Sequence, residues 1–119
     1  MAQVAKRKLS GSTDGKGIKV AATSTPGTTL HTAQSGTTAG KYDEIWLWCV
    51  NSSTSAVKLT IEFGGTGSPD DQIEFTVPPE DGLYLCVPGL ILQNASIVRA
   101  FAGTTNVLIV HGFVNQLTP

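Results

Sequence analysis

The 119-residue chain has little charge, two cysteines, one methionine and no long apolar run. Charged residues make up 14% of it, against roughly 25% in ordinary globular domains. No uninterrupted apolar stretch approaches the roughly 18 residues that a membrane-spanning helix needs, so we expect no membrane partner. The first 17 residues are basic but lack the apolar core of a signal peptide, and we therefore expect a protein made in the cytoplasm.

Thiols and imidazoles are too few for a disulfide framework or a zinc site. Cys49 and Cys86 lie in apolar patterns far apart in the chain, so we predict buried free cysteines. The two histidines, His31 and His111, could complete a zinc set only with both cysteines, which lack paired ligand spacing. We expect no metal and no cofactor. Each histidine is predicted to lie on a strand with its ring in a polar or interface contact.

Charge is divided unevenly along the chain. Up to Lys41 there are six Lys and Arg residues against the single acid Asp14, whereas the remainder has two basic residues against eight acids. The first third is rich in Gly, Ser and Thr and shows no apolar periodicity. This division predicts a flexible basic N-terminal arm at 1–16, attached to a single domain at 17–119. Lys6, Arg7 and Lys8 would dock the arm on an acidic protein surface.

Period-2 alternation of apolar residues dominates from residue 18 onward. Breakers separate the segments, and no helical pattern intervenes, so the sequence predicts an all-β fold. We expect an antiparallel β-sandwich, jelly-roll-like, of about eight strands with an extended N-terminal arm. The last two strands, and the two joined by 51–55, are predicted hairpins. The predicted strands are 18–23, 28–32, 42–50, 57–63, 73–77, 83–87, 97–102 and 107–114.

Segment 42–50 is the most hydrophobic of these strands. Ile45, Leu47 and Cys49 alternate with Trp46, Trp48 and Val50, so that both faces of the strand would need cover. The segment is either a central strand or a strand with one face against another subunit. We predict that Trp46 and Trp48 lie in the core or in a subunit interface, and keep stacking on a sugar as the alternative.

Motifs for chemistry are weak. The stretch 11–17 departs from the phosphate-loop pattern, since Gly17 follows the lysine where Ser or Thr belongs and no helix follows. Lys6, Arg7 and Lys8 lack interleaved aromatic residues, so direct nucleic-acid binding is not expected. No nucleophile or acid and base pair with supporting residues stands out, and we therefore expect a protein that is not an enzyme.

Several segments carry a resemblance to a known family: DEIWLW at 43–48, LTIEFGG at 59–65, VPGLILQN at 87–94, VRAFA at 98–102, and 107–115. With them, the chain from about residue 9 to 115 resembles small virion structural proteins of tailed bacteriophages. Among such proteins a capsid decoration (cement) protein fits a small β-domain with an arm best. The resemblance assigns no role to any individual residue.

What the resemblance implies is a non-enzymatic component of the capsid surface, made in the bacterial host cytoplasm and bound to the major capsid protein. We expect self-association as a homotrimer, which suits local threefold positions of a shell, with a dimer as second choice. The arm would be disordered in solution and order on the shell or on a neighbouring subunit. The alternatives are a neck or tail structural protein and a carbohydrate-binding receptor module.

Overall fold

The computed structural model describes residues 2–119, which form nine β-strands and no helix. All strand pairs are antiparallel and belong to two sheets. This confirms the predicted all-β fold, which is consistent with a β-sandwich. The strands are β1 (Gln3–Lys8), β2 (Ile18–Lys19), β3 (Thr28–Thr32), β4 (Tyr42–Asn51), β5 (Val57–Phe63), β6 (Gln72–Val77), β7 (Tyr84–Leu92), β8 (Ile97–Ala102) and β9 (Leu108–Thr118).

The two sheets enclose one hydrophobic core. Sheet A has the order β1-β9-β4-β7, with the short β2 also paired to β9, and sheet B has the order β3-β8-β5-β6. Ile45 and Leu47 of β4 reach the core from sheet A, and Leu59 and Ile61 of β5 from sheet B, all fully buried. The period-2 pattern of each strand thus places one row of side chains in the core and the other row outside.

Several predicted strands agree with the structure, and others differ in their ends. Strands β3, β5 and β8 have the predicted bounds, whereas β2 covers two residues of the predicted 18–23. Strand β7 continues through Pro88 and Gly89, where the prediction ended it. Proline is tolerated there because β7 is an edge strand of sheet A, and Gly89 adopts a positive φ of 79° at an irregularity of the register.

Both predicted hairpins are wrong. Strand β8 belongs to sheet B and β9 to sheet A, so the loop between them crosses from one sheet to the other. The connection from β4 to β5 makes the same crossing. Short loops between alternating strands are compatible with either a hairpin or a crossing between stacked sheets. Here the long β9 pairs with β4 over ten residues, and β8 pairs with β3 and β5.

The predicted arm is part of the sandwich in this structure. Gln3–Lys8 form β1, which pairs with Phe113 to Thr118 of β9, and Leu9 is buried in the core. Residue 16 therefore does not mark a boundary between an arm and a domain. No sequence pattern indicated β1, because backbone hydrogen bonds to β9 hold the strand while its side chains, such as Val4 at 65% exposure, bury little surface.

Candidate interaction surface

The outer face of sheet A carries an aromatic cluster formed by Trp46, Trp48 and Phe113. Trp46 and Trp48 lie on the side of β4 opposite the buried Ile45, Leu47 and Cys49. On β9, Phe113 is the register partner of Trp46. The prediction that the two tryptophans lie either in the core or in a subunit interface is therefore wrong as regards the core, since both are half-buried on the outer face. A subunit interface and a sugar platform are both compatible with this position.

The three rings contact one another and are nearly parallel. Their centroids are 6.0 to 6.4 Å apart and their planes differ by 13° to 25°. Lys6 of β1 extends its Nζ over the Phe113 ring, 4.7 Å from the centroid. A cation at this distance is attracted by the electron-rich ring face. The cluster is thus a preformed apolar surface with a positive charge at its β1 side.

Glu44 supplies the negative charge beside the aromatic cluster. Its Oε1 accepts hydrogen bonds from Trp46 Nε1 at 2.7 Å and from Asn115 Nδ2 at 3.0 Å. Because the hydrogen bonds from Trp46 and Asn115 favour the charged form, the pKa of Glu44 lies below its usual value of 4.5. The carboxylate is therefore charged near neutral pH and holds the Trp46 ring in place.

Trp46 requires a glycine on the neighbouring strand. A Cβ at Gly89 would lie 2.8 Å from Trp46 Cζ2 and 3.0 Å from Cε2, too close for any other residue without movement of the ring. The positive φ of Gly89 also disfavours side chains. The bulge of β7 and the position of Trp46 thus depend on each other.

The structure separates the three basic residues that the sequence grouped. Lys6 and Lys8 pair with Asn115 and Phe113, and lie on the aromatic side of sheet A. Arg7 pairs with Val114, whose side chain points into the core, so Arg7 lies on the other side of β1. Lys8 Nζ also donates a hydrogen bond to the Ser12 carbonyl at 3.0 Å. Two of the three cations can therefore contribute to one surface with the aromatic cluster.

A buried hydrogen bond between a histidine and an aspartate, which the sequence did not indicate, joins the two sheets. His31 Nε2 of β3 lies 2.6 Å from Asp43 Oδ2 of β4, and the residues are 4% and 1% exposed. Ser10 N donates to His31 Nδ1 at 2.9 Å, so the ring hydrogen is on Nε2 and is donated to the carboxylate. The second oxygen, Oδ1, has no partner among the described residues. Both groups are closed off from solvent, which suits a structural tie between the sheets.

The expectation for the histidines is confirmed for His31, which lies on β3 with its ring in a polar contact. His111 lies on β9 as the register partner of Trp48. No sequence signal could have found the pair with Asp43. The two residues are twelve positions apart and lie in different strands. The pattern of the sequence does not predict which strands lie against each other.

Both cysteines are free, as predicted. Cys49 is buried and Cys86 is half-buried at an irregularity of the β4 and β7 register. The adjacent Cys49 sulfur, burial, and the charge of a Cys49 thiolate all raise the pKa of Cys86 well above its usual value. Cys86 is therefore a neutral thiol under ordinary conditions.

Within residues 2–119 no three His, Cys, Asp or Glu side chains are grouped as metal ligands would be. The described part of the chain also contains no helix long and apolar enough to cross a membrane. Comparison of the chain with protein-family models, with curated proteins and with solved structures finds no match. The functional argument therefore rests on the surface itself.

Proposed function

We propose that this protein is a non-enzymatic virion structural protein of a tailed bacteriophage, which decorates the assembled head and stabilises it. Its partner is the major capsid protein, and its contact surface is the outer face of sheet A. The observation that carries the proposal is the aromatic cluster of Trp46, Trp48 and Phe113, which lies half-buried on the outer face of sheet A with Lys6 over one ring. The resemblance of the sequence supports the same class of protein.

The chemistry of this face suits docking on a protein shell. Half-buried aromatic rings provide apolar area with few rotatable bonds, which is typical of residues that dominate binding energy. Lys6 and Lys8 beside the cluster would steer the protein to an acidic shell surface. Binding to the assembled shell rather than to separate subunits would stabilise the shell, and many identical sites would add their effects.

The proposal is tested by co-sedimentation with heads of the phage that carries the gene. The full chain should saturate the heads and raise the temperature at which they release DNA. The double variant Trp46→Ala/Trp48→Ala should lose binding. The control is Phe101→Ala, which removes a half-buried aromatic ring from the outer face of sheet B and should bind as the native chain does. Failure of the native chain to bind heads would contradict the proposal, as would labelling of virions confined to the neck or tail.

The basic residues are tested by charge removal rather than by deletion, because residues 3–8 form a strand of sheet A. Lys6→Gln should weaken head binding and reduce its salt dependence, because Lys6 lies over the Phe113 ring. Arg7→Gln removes the same kind of charge from the other side of β1 and is the matched control. Equal losses in both variants would show that general attraction, and not the aromatic side of β1, carries the effect.

A second candidate is a carbohydrate-binding receptor module. It is favoured by the polar groups that border the aromatic cluster, namely Glu44 and Asn115 beside Trp46. Polar hydrogen-bonding groups next to an aromatic ring are what a sugar platform needs. Titration with soluble bacterial polysaccharides should then change the fluorescence of Trp46 and Trp48 saturably. No change with any polysaccharide of the host surface would contradict this function.

A further inference from the structure

Strand β7 forms an edge of sheet A that carries no charged residue. It pairs with β4 on one side, and no described strand pairs with its other side. From Leu83 to Gln93 the chain has no charged residue. An uncharged apolar edge with free backbone groups is a template for pairing with another strand. The exposed large apolar side chains of this edge are Leu83, Tyr84, Leu85, Leu90 and Ile91, at 41% to 59% exposure.

The other edges of the sandwich are protected. Strand β1 carries Lys6, Arg7 and Lys8, which would repel a second copy of the same edge. Strand β6 carries Glu74, paired with Lys58 of β5. The loop before β2 covers the edge of β3. Gly11 N donates a hydrogen bond to the Leu30 carbonyl, and Thr32 N donates one to Ser10 Oγ. Protection by charge is thus missing at β7, where only Pro88 and the register irregularities interrupt the edge.

We propose that β7 pairs antiparallel with β7 of a second copy of this chain, so that two A sheets join across a twofold axis. A twofold interface places the same surface opposite itself, and β7 can do this without bringing like charges together. An axis at Pro88 sets Leu85 opposite Ile91 of the second copy. These two residues pair with Trp48 and Glu44 of β4, and therefore both lie on the outer face of sheet A.

This pairing explains why the middle of the edge holds Pro88 and Gly89. Proline has no N–H and therefore cannot donate a hydrogen bond to a neighbouring strand. At the twofold axis Pro88 faces Pro88 of the second copy, so the missing donors fall at a single position of the ladder. On either side, the segments Tyr84 to Val87 and Gly89 to Leu92 would contribute the backbone groups that do not pair with β4. The inference concerns association in solution and holds whether or not the protein docks on a shell.

The test is the solution mass by light scattering after size exclusion, from about 1 to 100 µM. The native chain should form a dimer of 12.4 kDa subunits. Ile91→Lys should raise the dissociation constant at least about tenfold, since it places a charge in the paired edge. Val4→Lys is the matched control, because Val4 is an exposed apolar residue on the opposite edge strand of the same sheet, and it should dimerise as the native chain does.

Amide hydrogen exchange supplies the second measurement. Amides of β7 should be protected in the dimer and lose that protection on dilution, whereas amides of β1 should not change with concentration. Circular dichroism should show Ile91→Lys folded, because the Ile91 side chain is already half exposed. A monomer throughout, a trimer, or a dimer weakened by Val4→Lys but not by Ile91→Lys would overturn the proposal. None of these outcomes bears on head binding, which is measured separately.

Discussion

The outer faces of the two sheets differ in the groups that hydrogen-bond to a central glutamate. Glu44 of β4 and Glu62 of β5 both point away from the core. On sheet B, Glu62 is 0% exposed, because Thr25 Oγ1 and Gly27 N each donate a hydrogen bond to it at 2.6 Å. On sheet A, Glu44 is held by Trp46 and Asn115, which are side chains of the same face.

This difference shows on which face a loop of the same chain packs. The loop between β2 and β3 reaches across to Glu62 and covers part of sheet B. The aromatic cluster of sheet A is instead bordered by side chains of the same sheet, namely Lys6, Glu44 and Asn115. A loop therefore packs on the outer face of sheet B, whereas the half-buried rings of sheet A are held from within their own sheet. An apolar group held in this way on a surface suits the binding of another protein.

The largest effect is expected from breaking the tie between the two sheets. Asp43→Ala leaves the buried His31 Nε2–H without its acceptor and should lower the free energy of unfolding by about 3 kcal/mol, the upper end of the cost of an unsatisfied buried donor. Urea unfolding is the measurement. Asp43→Asn keeps an oxygen that can accept from Nε2 and should lose less. A loss of under about 1 kcal/mol in Asp43→Ala would contradict a role in joining the sheets.

Next in size is the loss of the carboxylate that anchors the loop on sheet B. Glu62→Ala removes two hydrogen bonds to a buried group and should destabilise the protein by about 2–3 kcal/mol. Glu44→Ala removes the corresponding carboxylate from sheet A and should cost less, because Glu44 is more accessible to water. Thermal unfolding of both variants compares the faces directly. Equal losses would mean that the two carboxylates stabilise the protein equally, which contradicts the difference between the faces.

A smaller effect on stability is expected from the aromatic cluster. Trp48→Ala removes ring contacts with Trp46 and Phe113 and should cost about 1–2 kcal/mol. Phe101→Ala on sheet B, which has no ring partner among the described aromatic pairs, should cost less. The contrast is sharper in binding, where only the sheet A variant should fail. If both variants bind alike, the outer face of sheet A is not the contact surface.

The smallest effect is a pH dependence of the same face. Because its folded pKa is lowered, Glu44 contributes stability above its ordinary pKa of 4.5, and this contribution is lost as pH falls through the folded value. Tryptophan fluorescence should therefore titrate with a midpoint below 4.5. Glu44→Gln should abolish that transition. Persistence of the transition in Glu44→Gln would assign it to another group.

Much of the strand content was predictable, and the partners of the strands were not. The bounds of β3 and β5 follow from alternation and flanking breakers. Alternation also separates Ile45 and Leu47 from Trp46 and Trp48, but it does not say which row faces the core. That choice depends on sheet B, which covers the row of Ile45 and leaves the tryptophans outside. For the same reason the sequence could not separate Lys6 and Lys8 from Arg7 before β1 was known to be a strand.

The sequence by itself determined the all-β class, since period-2 patterns and turn residues are local properties of the chain. It also determined that the edge at 83–93 is uncharged and that the first third is basic. Tertiary structure decided that β8 and β9 lie in different sheets, that His31 meets Asp43, and that β1 closes one edge. The physical reason is that these features rest on hydrogen bonds and packing between distant segments, which no local pattern records.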